Sequence, residues 1–144
     1  MAELGMDGRV RALPDSTRTA PEAAAAIGVE VAQIVKSLVS ATAGGETVLV
    51  LAAGDNRVDE EKVAALVGDA VKMADPELVR TRTGFAIGGV PPLAHATRSP
   101  VLVDETFRRF DEVWAAAGTP LTVFPLCPDE LVRISEGREA DVAR

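Results

Sequence analysis

Three features of this sequence could do chemistry. Lys36 stands inside the otherwise apolar run "QIVKSLV", residues 33–39. The segment "FAIGGVPPLAH", residues 85–95, places Gly88-Gly89 ahead of Val90-Pro91-Pro92 and ends on His95, the only histidine. An ammonium among aliphatics either reaches water along its stem or loses hydration. In the second case it is available to a carbonyl, a carboxylate or a phosphate. Paired glycines let a backbone come close to a ligand and can turn amide N–H groups into a cavity. The two prolines stiffen the segment and remove two donors. A solitary histidine more often holds structure together than catalyses. Arg80, Arg82 and Arg98 flank the Gly/Pro segment and would give a pocket there a positive rim, or else simply face solvent.

Other chemistries do not fit. Ser37, Ser40, Ser99 and Ser135 lack the setting of a nucleophile elbow, so no Ser-His-Asp order is supported. One histidine, one cysteine (Cys127) and scattered carboxylates give no zinc-ligand spacing, and neither a metal nor a cofactor is expected. No third glycine opens a helix after Gly88-Gly89, and no phosphate-cradling GxxxxGK[ST] occurs. Four Phe, one Trp and no Tyr are too few for a stacking platform on single-stranded nucleic acid. The 22 acids and 15 bases leave a formal charge of −7, which weakens non-specific attraction to phosphate backbones. Contact with nucleic acid must then be local, or assisted by a second protein. Without a recognition-helix pattern or a basic face, sequence-specific DNA binding is not expected. A lone cysteine makes no disulfide framework. The start "MAELGMDGRV" carries no apolar signal region, and no window approaches the roughly 18 apolar residues of a membrane span. A cytoplasmic protein without a membrane partner is the expectation.

The elements that must position Lys36 and the glycines can be read in outline. At 144 residues, 47% of them hydrophobic, the chain fits one domain over 1–144. "GRVRALP" reads as a first strand ending at Pro14. "DSTRTAPEAAAAIG" carries capping hydroxyls, an early proline, an Ala-rich body and a glycine stop, predicting a helix over 20–27. A short turn near Val29 leads into a strand over 34–41. "AGGE" then turns the chain into "TVLVLAA", predicting an antiparallel hairpin. "VDEEKVAALVG" predicts a helix with Val63, Leu66 and Val67 as its apolar stripe. Asp75-Pro76 opens another helix, to about Thr81. "VLVDE" reads as a strand, "EVWAAAG" and "PLTVFPL" as a hairpin across Gly118-Thr119, and Pro128 begins a last helix. Strands and helices interleave irregularly, which favours an α/β fold with a mixed sheet over a doubly wound parallel one.

In this order the segments resemble the YbaK / prolyl-tRNA synthetase-associated editing domain family. The resemblance runs from "STRTAPEAAAAIGVEVAQIVKSLV" through "LVLAAGDNRVDEEKVAALVG" and "GFAIGGVPPLAH" to "PLTVFPLCPDELVRISEGREADV". The order and spacing of "IVKSLV", "GDNRVDEEK" and "GGVPP" carry it. It implies a mixed, curved, partly barrel-like sheet flanked by helices. It also implies a trans-editing aminoacyl-tRNA deacylase, which hydrolyses the ester of a mischarged tRNA bearing a small amino acid. A tRNA resembling the proline tRNA is the expected carrier, and an aminoacyl-tRNA synthetase is a further partner to consider. The family's characteristic lysine falls on Lys36 and its glycine-rich loop on Gly88 to Pro92. The resemblance thus gives Lys36, Gly88 and Gly89 catalytic places, with the pocket walled by Thr17, Thr19, Ile34, Phe85, Val90, Pro91, Pro92 and His95. The vicinal hydroxyl of the terminal ribose would assist the attacking water. Two departures stand out: Pro91 replaces a serine common after the paired glycines, and Ser37 replaces the asparagine frequent in alanine-selective relatives. The alternatives are a module that binds aminoacyl or nucleotide ends without hydrolysis, and an interaction domain that docks on a synthetase.

Overall fold

The computed structural model describes residues 9–13, 19–85, 90–92, 99–119 and 122–144. Capping residues set its helices. The Thr19 hydroxyl accepts the Glu22 N–H to open α1 (Ala20–Ile27), and Gly28 closes that helix at φ 88°. Asp59 accepts the N–H groups of Glu61 and Lys62 at the start of α2 (Glu60–Val67). Asp75 does the same for Leu78 in α3 (Pro76–Thr83). In α4 (Pro128–Ser135) the Glu130 carboxylate reaches back to the Cys127 N–H at 3.0 Å.

Two sheets lie between these helices. β1 (Arg11–Ala12), β6 (Val113–Ala116) and β7 (Thr122–Leu126) form an antiparallel sheet in the order β1-β7-β6. The larger sheet has the order β4-β2-β3-β5-β8. Within it β2 (Val35–Thr42) and β3 (Thr47–Ala53) make the expected hairpin, with Lys36 opposite Ala52 and Ser37 opposite Leu51. β4 (Val71–Met73) runs antiparallel to β2, while β5 (Val101–Asp104) lies parallel to β3 and β8 (Arg138–Ala140) parallel to β5. The sheet is therefore mixed, as the sequence predicts. The two sheets touch through a bridge between Ile34 and Trp114, and they do not close into a barrel.

β3 explains why "TVLVLAA" shows no alternation. All seven of its residues are buried, because both faces of the sheet are covered. Leu49, Leu51 and Ala53 pack with Phe107, Phe124 and Leu131. Val48, Val50 and Ala52 pack on the other face with Val63, Leu102 and Val142. Each fully buried Leu or Val contributes about 1.5–3 kcal/mol. Gly54 follows at the end of β3, where an added Cβ would lie 2.2 Å from the Val31 carbonyl oxygen and 2.9 Å from Ala20 Cβ. Only glycine allows α1 and the turn at Val31–Gln33 to come this close to the sheet. One expectation needs correction: Leu66, placed on the apolar stripe of α2, is exposed, and Val63 makes that helix's buried contact. None of the helices among the described residues is long and apolar enough to cross a membrane.

Candidate functional site

β2 is paired along its whole length with β3, but β4 covers only residues 40–42 on the other edge. Beyond residue 40 towards its start, β2 instead approaches β6. A cavity of about 390 Å³ opens in that gap. Its described walls come from the first turn of α1, the start of β2, Gly54, Val90 and Trp114. This volume falls in the usual range for a small-molecule site.

Lys36 is half-buried on this wall, and its Nζ donates to the Asn56 carbonyl at 2.5 Å. That carbonyl is itself held. The Asn56 N–H donates to the Ala53 carbonyl at 2.9 Å, and its side-chain Nδ2 donates to Asp104 Oδ2 and to Thr106 Oγ1, both at 2.9 Å. Asp104, 1% exposed at the end of β5, also accepts the Ala53 N–H at 3.0 Å, the Thr106 N–H at 2.9 Å and the Thr106 hydroxyl at 2.8 Å. A rigid relay thus runs from a buried carboxylate through Asn56 to the ammonium. Nearby, Arg109 grips both oxygens of Asp55 at 3.2 and 3.1 Å.

The electrostatics follow from these contacts. Burial pulls the Lys36 pKa below that of a free lysine; Asp55 and Asp104 oppose the shift, and the Arg57 charge adds to it. For Asp104, burial alone would raise the pKa. The hydrogen bonds from Asn56, Ala53 and Thr106 outweigh it and hold the carboxyl below its ordinary value. The hydrogen bond from Arg109 holds Asp55 low as well. The site sets one lysine beside two aspartates, with Asp55 closed off by its own arginine.

The sequence-predicted residues divide into three groups. Lys36, Thr19, Ile34 and Val90 meet on the cavity wall. Phe85, Pro91 and Pro92 do not belong to that wall. Phe85 packs against the core, where a Cβ on Gly118 would come within 3.4 Å of its ring, and both prolines are buried. Thr17, Gly88, Gly89, His95 and Arg98 lie outside the described residues. The expected positive rim does not form from Arg80 and Arg82. Arg82 ends α3 and donates to the Gly45 carbonyl at 3.1 Å, at the turn between β2 and β3, and neither arginine lines the cavity.

Ser37, a departure from the family's pattern in the sequence, and Trp114, which the sequence did not single out, also belong to the site. Ser37 lines the cavity, and its Oγ is buried without a hydrogen-bond partner among the described residues. Leaving such a hydroxyl unpaired costs about 1–3 kcal/mol. Trp114, 6% exposed, packs against Ile34 and carries Arg11 over its ring at 5.1 Å. The polar "GDN" that follows the apolar β3, and the acid that ends "VLVD", are the signals that could have pointed to Asn56 and Asp104.

The chain has recognisable relatives. Residues 14–134 match the aminoacyl-tRNA editing domain family. The chain is 36% identical over 120 residues to YwhH of Bacillus subtilis (strain 168), covering 83% of this chain and 76% of that one. It is 35% identical over 88 residues to the proline–tRNA ligase of Acidithiobacillus ferrooxidans, covering 60% of this chain but 15% of the ligase. Among solved structures, a candidate trans-editing enzyme for prolyl tRNA synthetase superposes with a TM-score of 0.88 at 50% identity, over 94% of this chain and 85% of that one. The hypothetical protein APE2540 superposes with a TM-score of 0.90 at 30% identity, over 99% of both chains. A matched stretch that includes β2, the Gly54 turn and β5 takes in every element holding Lys36, and the chain belongs to the aminoacyl-tRNA editing domain family.

Proposed function

We propose that the protein is a trans-acting deacylase that removes a small amino acid from a mischarged tRNA, with a proline tRNA as the carrier. The observation that supports this most directly is the Lys36 ammonium, fixed by the Asn56 carbonyl at the wall of a cavity sized for an aminoacyl group. An aminoacyl ester is already activated. The protein has to place water and stabilise the oxygen that gains charge, rather than build a strong nucleophile. Water adds to the ester carbonyl, the bond to the ribose oxygen breaks, and that oxygen takes up a proton. The products are the free amino acid and an uncharged tRNA. Lys36 holds the ester carbonyl or the adjoining phosphate, and the amides of Gly88 and Gly89 are assigned as further donors. Ile34, Val90 and Trp114 wall the amino acid.

The substrate amino acid is a small one, with Ala, Cys, Ser and Thr the first to try, because cavity size alone separates neighbours by only about 1–3 kcal/mol per methylene. The test is to incubate the protein with tRNAs carrying each of these residues and follow loss of the labelled ester. At least one should be deacylated catalytically. If all four esters decay at the uncatalysed rate, the reading fails. Binding of the charged ends without turnover would replace it with a recognition module.

A further inference from the structure

Lys36 borders a second hollow as well as the first. This groove, about 330 Å³ in volume, takes apolar lining from Leu38, Val58 and Met73 and charged lining from Arg57, Arg144 and Glu60. Met73 is 68% exposed, the most exposed large apolar side chain among the described residues. The segment carrying Arg144 is pinned in place. Val58 and Ala143 form an antiparallel bridge, the Asp59 N–H donates to the Val142 carbonyl at 2.8 Å, and the Arg144 N–H donates to the Arg57 carbonyl at 2.9 Å. Lys62 Nζ holds the Ala143 carbonyl at 2.7 Å and Asp141 at 2.8 Å. Arg144 is thereby kept beside Arg57.

Four arginines of this acidic chain have acidic partners among the described residues. Arg9, Arg108, Arg109 and Arg133 each pair with a carboxylate. Neither Arg57 nor Arg144 forms an ion pair with any described residue. Two unpaired guanidinium groups and the Lys36 ammonium, around an apolar hollow with Glu60 as its single described acid, make a local positive site on a body of formal charge −7. Phosphates are taken up by such groups, and bases by apolar and guanidinium faces.

We propose that this groove receives the single-stranded 3′ end of the tRNA, with a phosphate at Arg57 and Arg144 and a base over Leu38, Val58 and Met73. The esterified amino acid then enters the first cavity, and Lys36, the charged residue common to both hollows, stands at the ester that joins the two parts. The assignment rests on the deacylase reading and adds to it the path by which the RNA arrives.

The test titrates the trinucleotide 5′-CCA-3′ into isotope-labelled protein and follows amide shifts for wild type, Arg57→Ala and Arg57→Glu. Arg133→Glu, on the exposed side of α4, serves as the control. The shifts should centre on the groove, and Arg57→Glu should weaken binding about tenfold or more. The same variant should flatten the log–log salt dependence by about 0.7 for the lost phosphate contact. Arg133→Glu should bind as wild type does. Unchanged affinity in both Arg57 variants, or shifts confined to other surfaces, would overturn the proposal. So would AMP binding as tightly as the trinucleotide, since the groove would then serve a free mononucleotide. Arg57-dependent binding by a protein that leaves every mischarged tRNA intact would support the groove and sink only the reaction.

Discussion

A desolvated lysine ammonium gives up its proton more readily than a free one. Its pKa lies below the 10.5 of a free lysine because burial disfavours the charge. Activity that needs the ammonium should therefore fall on the alkaline side through a pKa below that value. Among the described residues, the charged groups acting on Lys36 are Asp55 and Asp104, which favour its charge, and Arg57, which opposes it. Removing the Asp104 charge with Asp104→Asn should move the alkaline limb of a kcat/KM profile lower still. A substitution that only loosened the fold would lower the rate without moving the limb. Asp104 has its own signature in stability. Its folded pKa is depressed, so its contribution is present above the unfolded value near 3.8 and is lost as pH falls through the folded one. Acid unfolding of Asp104→Asn should accordingly be less steep below pH about 4, and chemical denaturation at neutral pH should show a loss of roughly 1–3 kcal/mol. Lys36 is legible in the sequence because a charge among aliphatics stands out. The pairing of Asp104 with Asn56 is not, because it spans 48 residues and nothing local to either announces the other.

At the scale of elements, the helices are legible because their signals are local. Thr19, Asp59 and Asp75 cap α1, α2 and α3 as their residue types predict. β4 and β8, three residues each, escape a sequence reading. They are edge strands, paired through distant partners, and "VKM" and "REA" are too short to show a period. Gly54 is the element-scale feature on which the cavity depends. It lets the end of β3 pass under α1 and the Val31 carbonyl, so any side chain there must push α1 outward. Gly54→Ala should destabilise the protein by about 1–3 kcal/mol. It should also weaken substrate binding, because the displaced Ala20 and Thr19 form one wall of the cavity. Normal stability in that variant, measured by urea denaturation, would contradict the close approach.

The whole molecule is two sheets that meet at Ile34 and Trp114 and part along β2. The cavity is a consequence of that parting. The mixed sheet is legible from the irregular order of strands and helices. The division into two sheets is not, because it is set by pairings between strands far apart in the chain, such as β1 with β7 and β5 with β8. Trp114 is the single tryptophan, and it is buried on the cavity wall. Its fluorescence should change when an uncleavable aminoacyl-adenosine analogue binds, and Trp114→Ala should cost about 3–5 kcal/mol by separating the sheets. The central claim is that the Lys36 ammonium acts on the ester in this cavity. Single-turnover deacylation of the preferred mischarged tRNA by wild type and Lys36→Ala, both shown to be folded by near-UV circular dichroism, tests it most directly. The variant should be slower by about 100-fold or more; a rate equal to that of wild type would contradict the account.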